Sequence, residues 1–125
     1  MTDRQTIENA LNGLVDAFNA HDLDRIMTFF TDDCVLQMPR GPNPFGQRAE
    51  GAVAVKATLA TRFEGIPDVH YGEDSHYIDG NVGVSKWLLT GTTAAGQKIA
   101  VRGCDFYEFR DGKATMKDSY WKIVE

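Results

Sequence analysis

The sequence predicts an α+β domain in which helices fill the first half of the chain and an antiparallel sheet fills the second. Apolar residues recur at helical spacing up to about residue 63, and three turn signals then divide the rest into strand-like segments. Consecutive strands joined by short turns are antiparallel, and helices gathered before a meander sheet are typical of α+β domains. A length of 125 residues suits one domain over residues 1–125.

The first two helices begin at residues that can cap them. Thr2 or Asp3 can cap a helix that runs to about Ala20. Asp22 can cap a second, short helix, which residues 31–33 are expected to break. The apolar residues expected to face the core from these helices are Ile7, Leu11, Leu14, Val15, Phe18, Leu23, Ile26, Met27 and Phe30.

A short strand, a loop and a third helix complete the first half. The strand is expected over residues 34–38, where a proline stops it. Residues 39–49 contain three prolines and two glycines, which restrict the backbone and are typical of a loop. This loop could form the rim of a site or merely connect two elements. The third helix is expected over about residues 50–63, and Gly65 ends it.

Four strands are expected in the second half, and the turn signals set their bounds. The strands cover about residues 69–78, 82–92, 98–110 and 113–124. The turn signals between them are Asp79-Gly80-Asn81, Ala94-Ala95-Gly96 and Asp111-Gly112.

The last hairpin carries the most specific prediction of a site. If Asp111-Gly112 is a two-residue turn, Asp105 lies directly opposite Asp118 on the mostly apolar face toward the helices. Opposed β-carbons are about 4.5–5.5 Å apart, so repulsion favours one neutral acid beside one ionised partner. Such a pair could act as general acid and base. A three-residue turn would slip the register and make Asp105 and Lys117 an ordinary cross-strand ion pair.

Whether a third polar group belongs to the predicted site depends on the length of the turn between the two preceding strands. Even loop lengths put Lys86 on the inward face with Asp105, and odd lengths bring Trp87 there instead. An ammonium near the two acids would favour their ionised forms, so the protonation state of the pair stays open. Tyr120 and His76 are secondary polar candidates for substrate binding. The apolar wall is expected to consist of Phe18, Phe30, Met38, Val101 and Met116.

Composition and motif content narrow the function classes. The net charge is −5 and no basic cluster is present, so nucleic acid is not an expected partner. No apolar run has the length of a membrane span, and the polar N-terminus lacks a secretory signal, so we expect a cytoplasmic location. Cys34 and Cys104 lack metal or redox spacing and are expected as reduced thiols. His70 and His76 lack further ligands, so neither metal nor cofactor is expected.

Three segments carry a family resemblance. They are FNAHDLDRIMTFFTDD at residues 18–33, GCDFYEFRDGK at residues 103–113 and DSYW at residues 118–121. They resemble the SnoaL-like, nuclear-transport-factor-2-like superfamily, which includes ketosteroid-isomerase-like proteins. The resemblance implies a cone in which three helices close a curved antiparallel sheet over one internal pocket. It also implies a homodimer, expected through the outer sheet face with Trp87, Phe106 and Trp121 as aromatic anchors.

The resemblance implies a site at Asp105 without implying one reaction, because the superfamily hosts isomerases, cyclases, dehydratases, hydrolases and binders. Asp105 matches the oxyanion-hole aspartic acid of ketosteroid isomerases, whereas Met38 and Phe18 stand where those enzymes keep their base and a tyrosine. Asp118 lies near an aspartate of limonene-type epoxide hydrolases. We expect a cofactor-free enzyme acting on a small, mainly apolar or amphipathic molecule, with Asp105 as acid and Asp118 as base. The alternative is a non-catalytic domain that binds a small molecule or a protein.

Overall fold

Three helices and six strands make up residues 3–125, the part of the chain that the structure, a computed structural model, describes. In chain order they are α1 (Arg4–Asn19), α2 (Leu23–Met27), β1 (Phe30–Gln37), β2 (Arg48–Glu50), α3 (Ala52–Gly65), β3 (His70–Asp79), β4 (Val82–Thr92), β5 (Lys98–Arg110) and β6 (Lys113–Trp121). The strands form one sheet in the order β2-β1-β6-β5-β4-β3. Helix α1 packs against β3 and β4, and α3 packs against β1 and β2. The predicted α+β class, with three helices on one sheet, is confirmed.

The first two helices begin at their predicted caps. The Asp3 carboxylate accepts a hydrogen bond from the Thr6 backbone N–H at 2.8 Å. The alternative cap, Thr2, lies outside the described residues. Asp22 caps α2 in the same way, accepting from the Arg25 N–H at 3.1 Å. The face of α1 that is buried consists of Ile7, Ala10, Leu11, Leu14, Ala17 and Phe18.

Two segments between α2 and α3 differ from the prediction. Strand β1 begins at Phe30, four residues early, because β6 offers it a parallel partner with Phe30 aligned to Ala114. Residues 31–33 therefore extend a strand after α2 has ended, and the sheet is mixed rather than wholly antiparallel. Strand β2 lies at the end of the predicted loop and pairs antiparallel with β1. Pairing with strands that are distant in sequence supplies hydrogen-bond partners for the backbone of these residues, and local sequence patterns do not predict such pairing.

A bulge in β6 decides which side chains share the inner face of the β5–β6 hairpin. The predicted turn at Asp111-Gly112 is present, with positive φ angles of 51° and 84°. Thr115 is then an extra residue on β6. The pairs on either side of it are Phe109 with Ala114 and Glu108 with Met116. Every later pair is shifted by one residue, so Asp105 pairs with Ser119 and the predicted pairing of Asp105 with Asp118 is wrong.

The connection between β4 and β5 has the odd length that removes Lys86 from the inner face. Thr92 pairs with Lys98, so residues 93–97 form the loop. Trp87 consequently points inward and is only 2% exposed, whereas Lys86 is exposed on the outer face. The prediction that Lys86 contributes to the site face is therefore wrong.

A second bulge separates the two histidines of β3. The register against β4 shifts between Gly72 and Ser75, and Glu73 has a positive φ of 49°. His70 consequently lies on the exposed face, while His76 turns inward and pairs with Ser85. The two rings cannot act together because they lie on opposite sides of the sheet.

Candidate functional site

Asp105 is buried on β5, and its carboxylate accepts hydrogen bonds from three side chains. One oxygen, Oδ1, accepts from Lys117 Nζ at 3.0 Å and from Ser119 Oγ at 2.5 Å. The other, Oδ2, accepts from Trp87 Nε1 at 3.0 Å. Lys117 Nζ also donates to Ser119 Oγ at 2.8 Å, which closes a three-membered polar cluster. These partners compensate a charge whose burial would otherwise be strongly unfavourable.

The bulge at Thr115 explains why a lysine lies in this interior. Beyond it, Lys117, Ser119 and Trp121 share the inner face of β6, and Lys117 and Ser119 are 5% and 6% exposed. The Lys117 ammonium lies 5.4 Å from the centre of the Phe18 ring. The ion pair with Asp105 is the one that a slipped register predicted. A bulge within β6, and not a three-residue turn, produces it.

The same shift moves three predicted site residues to the outer face. Asp118 is half-buried there and accepts a hydrogen bond from the Tyr120 hydroxyl at 3.0 Å. The carboxylate raises the pKa of Tyr120, because it favours the protonated, donating hydroxyl. Met116 pairs with Glu108 and shares its outward face. The inward placement predicted for these residues is wrong, since a one-residue slip turns every side chain over.

A cavity of about 10 Å³ lies against the polar cluster, which is room for about one water molecule. Its walls are mostly apolar and aromatic, with three charged groups among them. The lining residues are Phe18, Met38, Leu59, Arg62, Tyr71, Trp87, Asp105, Lys117, Ser119 and Trp121. Phe18 and Met38 are thus at the cavity as predicted. Phe30 and Val101 are buried in the core but do not line it.

A second space of about 230 Å³, which we call the vestibule, adjoins this cavity. The two share Met38, Ser119 and Trp121, and residues 39–46 form much of the vestibule wall. Asp118 and Tyr120, two of the predicted site residues, also line the vestibule, although neither lines the cavity. The loop therefore serves as a rim, one of its two predicted roles. Gly46 lets the loop close, because its φ is 76° and a β-carbon there would meet the Met38 carbonyl oxygen.

A larger groove of about 660 Å³ lies near the other end of α1 and is a weaker candidate. It is lined by Arg4 and Arg110, among others, and Arg110 is already paired with Asp33 at 2.8 Å. It contains no buried acid or base, whereas the small cavity has both. We therefore assign the candidate site to the cavity beside Asp105.

Polar side chains form a row across the inner face of four strands. His76, Ser85, Asp105 and Ser119 are direct cross-strand partners on β3, β4, β5 and β6. His76 Nδ1 lies 2.9 Å from Ser85 Oγ, and His76 Nε2 lies 3.3 Å from an Asp74 oxygen without hydrogen-bond geometry. His76 is therefore inward-facing, two strands from Asp105, and does not line the cavity.

Sequence reasoning missed Arg62 and Tyr71 entirely. Arg62 lies in the last turn of α3, with its guanidinium carbon 4.3 Å from the centre of the Trp121 ring. Burial raises the pKa of Tyr71, and the nearby Arg62 guanidinium partly opposes that rise. The available signal was helical spacing, because Arg62 follows Val55 and Leu59 on the buried face of α3.

Two of the three aromatic residues predicted as dimer anchors on the outer face lie on the inner face of the sheet instead. Trp87 and Trp121 both point inward and meet edge to face, with ring centres 6.3 Å apart. Only Phe106 of the three predicted anchors lies on the outer face, where it is 43% exposed. Cys34 and Cys104 carry unpaired thiols.

Among residues 3–125, no cluster of three or more His, Cys, Asp or Glu side chains could hold a metal ion. None of the helices in that range is long and apolar enough to cross a membrane.

Solved structures resemble the chain over nearly its whole length, at identities that establish the fold alone. A candidate polyketide cyclase from Xanthomonas campestris pv. campestris has a TM-score of 0.85 and 20% identity, covering 97% of this chain and 93% of that one. An NTF2-like protein of unknown function from Burkholderia pseudomallei K96243 has a TM-score of 0.84 and 18% identity, covering 98% and 92%. TerC, co-crystallised with polyporic acid, has a TM-score of 0.80 and 20% identity, covering 94% and 91%.

Comparison of the sequence alone gives a match to one family but to no individual curated protein. No curated protein matches the chain significantly. The sequence profile of the SnoaL-like domain matches residues 11–116, which run from the middle of α1 into β6 and include Asp105. The chain therefore belongs to the SnoaL-like domain family.

Proposed function

We propose that this protein catalyses proton transfer, without a cofactor, on a small and mainly apolar substrate that carries a carbonyl or hydroxyl group. The observation that carries the proposal is the buried cluster of Asp105, Lys117 and Ser119 at the wall of an apolar cavity. A carboxylate can accept a proton, and an ammonium can stabilise negative charge that develops on a substrate oxygen. Isomerisation, cyclisation and dehydration can each use a base and an oxyanion-stabilising cation in this way.

In this proposal Asp105 takes the role of base that the sequence suggested for Asp118. Lys117 has three N–H donors, of which two are directed to Asp105 and Ser119. The third is available to a substrate oxygen, near the face of Phe18. Ser119 contacts both charged groups and can hold them in position while the proton moves.

The structural relatives support the class of chemistry and no finer detail. One is described as a candidate polyketide cyclase and another, from Bacillus subtilis, as a candidate isomerase. Cyclisation of a polyketide proceeds by proton transfer on an oxygenated carbon skeleton, which is the class of step proposed here. TerC was crystallised with polyporic acid, which makes that compound a reasonable first ligand to test here.

Hydrogen–deuterium exchange tests the proposal before the product is known. Cyclic ketones, 1,3-diketones and polyporic acid would first be screened for binding by NMR, and the binders that have an exchangeable C–H would be incubated with enzyme in D₂O. We expect enzyme-dependent exchange that falls about 100-fold or more in Asp105→Asn. The matched control is Asp24→Asn, which should keep the wild-type rate because this exposed carboxylate lines neither the cavity nor the vestibule.

Thermal unfolding of both variants would show that loss of exchange is not loss of fold. Binding beside Trp121 without exchange above the buffer rate, for every binder that has an exchangeable C–H, would contradict the proposal. Equal exchange by wild type and Asp105→Asn would do the same.

A second candidate function, a non-catalytic binding domain, is favoured by one observation. Both oxygens of Asp105 are already occupied by three donors, and the adjacent cavity is only about 10 Å³. A saturated carboxylate can be a structural group that holds the inner face together. Saturable binding without exchange for every ligand found would favour this function.

We further propose a homodimer through the outer face of the sheet. The face carries Phe106, Tyr120 and Tyr77, which are 43%, 54% and 57% exposed. Phe106 and Tyr120 meet edge to face at 5.6 Å, so they form a single aromatic patch. Sedimentation equilibrium should give twice the chain mass at micromolar concentration, and Phe106→Glu should give the monomer. A monomeric wild type would refute the dimer.

We also propose a cytoplasmic location. The unpaired thiols of Cys34 and Cys104 are suited to a reducing compartment. Recovery of the native protein in a membrane or secreted fraction would contradict this.

A further inference from the structure

Arg62 is a second cation at the cavity, and the proposed proton transfer does not use it. Within residues 3–125, no carboxylate forms an ion pair with its guanidinium. Asp105 and Lys117 offset each other's charge at 3.0 Å. Arg62 therefore leaves the cavity lining with one net positive charge, although the whole chain has a net charge of −5.

We propose that Arg62 binds a planar anionic oxygen group of the ligand, a carboxylate or an ionised enol. The natural ligand is then a small organic acid with an apolar ring, rather than a neutral apolar molecule. This inference rests on the pocket of the proposed function but not on its catalytic step.

The stacking of Arg62 leaves the edge of its guanidinium open to hydrogen bonds, and part of that edge faces the Tyr71 hydroxyl. Trp121 covers one face of the guanidinium, whose carbon lies 4.3 Å from the ring centre. The N–H groups lie at the edge of that plane, where they can meet two oxygens of a carboxylate at once. The hydroxyl of Tyr71, which lines the same cavity, adds a neutral donor beside them. Burial raises the pKa of Tyr71 and keeps it protonated.

The position of Trp121 indicates where the acid group would bind. Trp121 lines both the cavity and the vestibule, so the guanidinium stacked on it stands near their junction. The vestibule wall carries one cation, Arg40, and one carboxylate, Asp118, so its formal charges cancel and an anion there can approach this junction without crossing the core. The apolar part of the ligand would then contact Phe18 and Leu59 on the inner side.

Binding must enlarge the cavity, because about 10 Å³ holds no organic acid. Arg62 and Trp121 are both half-buried, whereas Phe18, Leu59 and Trp87 are fully buried. The stacked pair is thus the part of the lining that can move apart. Tryptophan fluorescence reports such a movement directly, since the only two tryptophans, Trp87 and Trp121, both line the cavity.

Fluorescence titration with matched acids and amides tests the inference. The ligands are cyclohexanecarboxylate and benzoate, each compared with its neutral amide of nearly the same shape. We expect the wild type to bind each acid about tenfold or more tightly than its amide. Arg62→Gln should reduce that preference to about twofold or less, and Arg62→Lys should retain part of it. The matched control is Arg102→Gln, which removes an arginine that pairs with Glu73 and lines neither the cavity nor the vestibule.

Four outcomes would overturn the inference. They are equal binding of acid and amide by the wild type, an unchanged preference in Arg62→Gln, loss of the preference in Lys117→Met instead, and no saturable response to either acid up to about 10 mM, which is ten times a dissociation constant of about 1 mM. The proposed catalysis fails separately. If Asp105→Asn leaves exchange unchanged while the acid preference still depends on Arg62, the catalytic proposal falls and the anion site stands.

Discussion

Lys117 Nζ lies 3.0 Å from Asp105 Oδ1, with side-chain exposures of only 7% and 6%. A buried ion pair of this kind is tolerated only when further hydrogen bonds satisfy both charges. Ser119 bridges the two groups and Trp87 binds the second carboxylate oxygen. The pair is therefore one member of a connected polar cluster, and its stability can be tested one bond at a time.

Removing the cation should leave a buried carboxylate without its main partner. We expect Lys117→Met to lower the free energy of unfolding by about 3–5 kcal/mol, measured by urea denaturation at pH 7. Lys56→Met is the control, because Lys56 pairs with Asp24 on the surface at exposures of 46% and 86%. Its loss should cost less than about 1 kcal/mol. Similar losses in both variants would mean that the buried pair has no special role in stability.

The two tryptophans should respond differently to replacement by phenylalanine. Trp87→Phe removes the N–H donor to Asp105 and should cost about 1.5–3 kcal/mol beyond the change in packing. Trp121→Phe keeps a ring under Arg62 and should cost about 1 kcal/mol or less through the weakened cation–π contact. Chemical denaturation of both variants checks the order, and a more damaging Trp121→Phe would contradict it.

The ion pair of Asp33 with Arg110 predicts a stability change in acid. Two hydrogen bonds from Arg110 are the main cause that lowers the pKa of Asp33 from 3.8 to about 2. The depressed value means that the stabilisation is present above pH 3.8 and is lost as the pH falls toward about 2. The difference in stability between wild type and Asp33→Asn should therefore shrink over that range in urea titrations. Arg110→Gln should abolish this pH dependence, and its persistence would contradict the assignment.

The buried tyrosines predict a loss of stability at high pH, in contrast to the loss at low pH that Asp33 predicts. Burial raises the pKa of Tyr71 and of Tyr107 above the ordinary value of 10.0. A raised folded-state pKa means that the stabilisation is present below pH 10 and is lost as the pH rises further. Both hydroxyls should ionise only on alkaline unfolding, seen as a late step in absorbance at 295 nm. Tyr71→Phe and Tyr107→Phe should each reduce that late step, and early reversible ionisation of either would contradict the prediction.

Much of the fold follows from local patterns. The apolar spacing of α1, the caps at Asp3 and Asp22, and the turn at Asp111-Gly112 all depend on residues within a few positions of one another. Local energies decide such features, so sequence alone predicts them. Asp105 was predicted at the site because it lies before that turn, in an apolar alternation.

The side chains that hydrogen-bond to Asp105 depend instead on how strands pair with one another across the sheet. β1 and β6 are both irregular where they run side by side, and the Ala114 N–H donates to the Phe29 carbonyl just before β1. The bulge at Thr115 lies where the register between β1 and β6 also shifts, between Phe30 and Val35. The loop at residues 93–97 is likewise held from outside the hairpin, by the Asp68 carboxylate that accepts the Thr92 N–H at 2.6 Å.

The sequence by itself determined the helices, the four strands of the second half, the last turn and the burial of Asp105. Only the tertiary structure decided that Lys117 and Ser119, rather than Asp118, meet that carboxylate, and that Trp87 replaces Lys86. The physical reason is the two-residue period of a strand. One extra residue in a strand or loop reverses the direction of every side chain beyond it, and local sequence patterns do not show where that residue will lie.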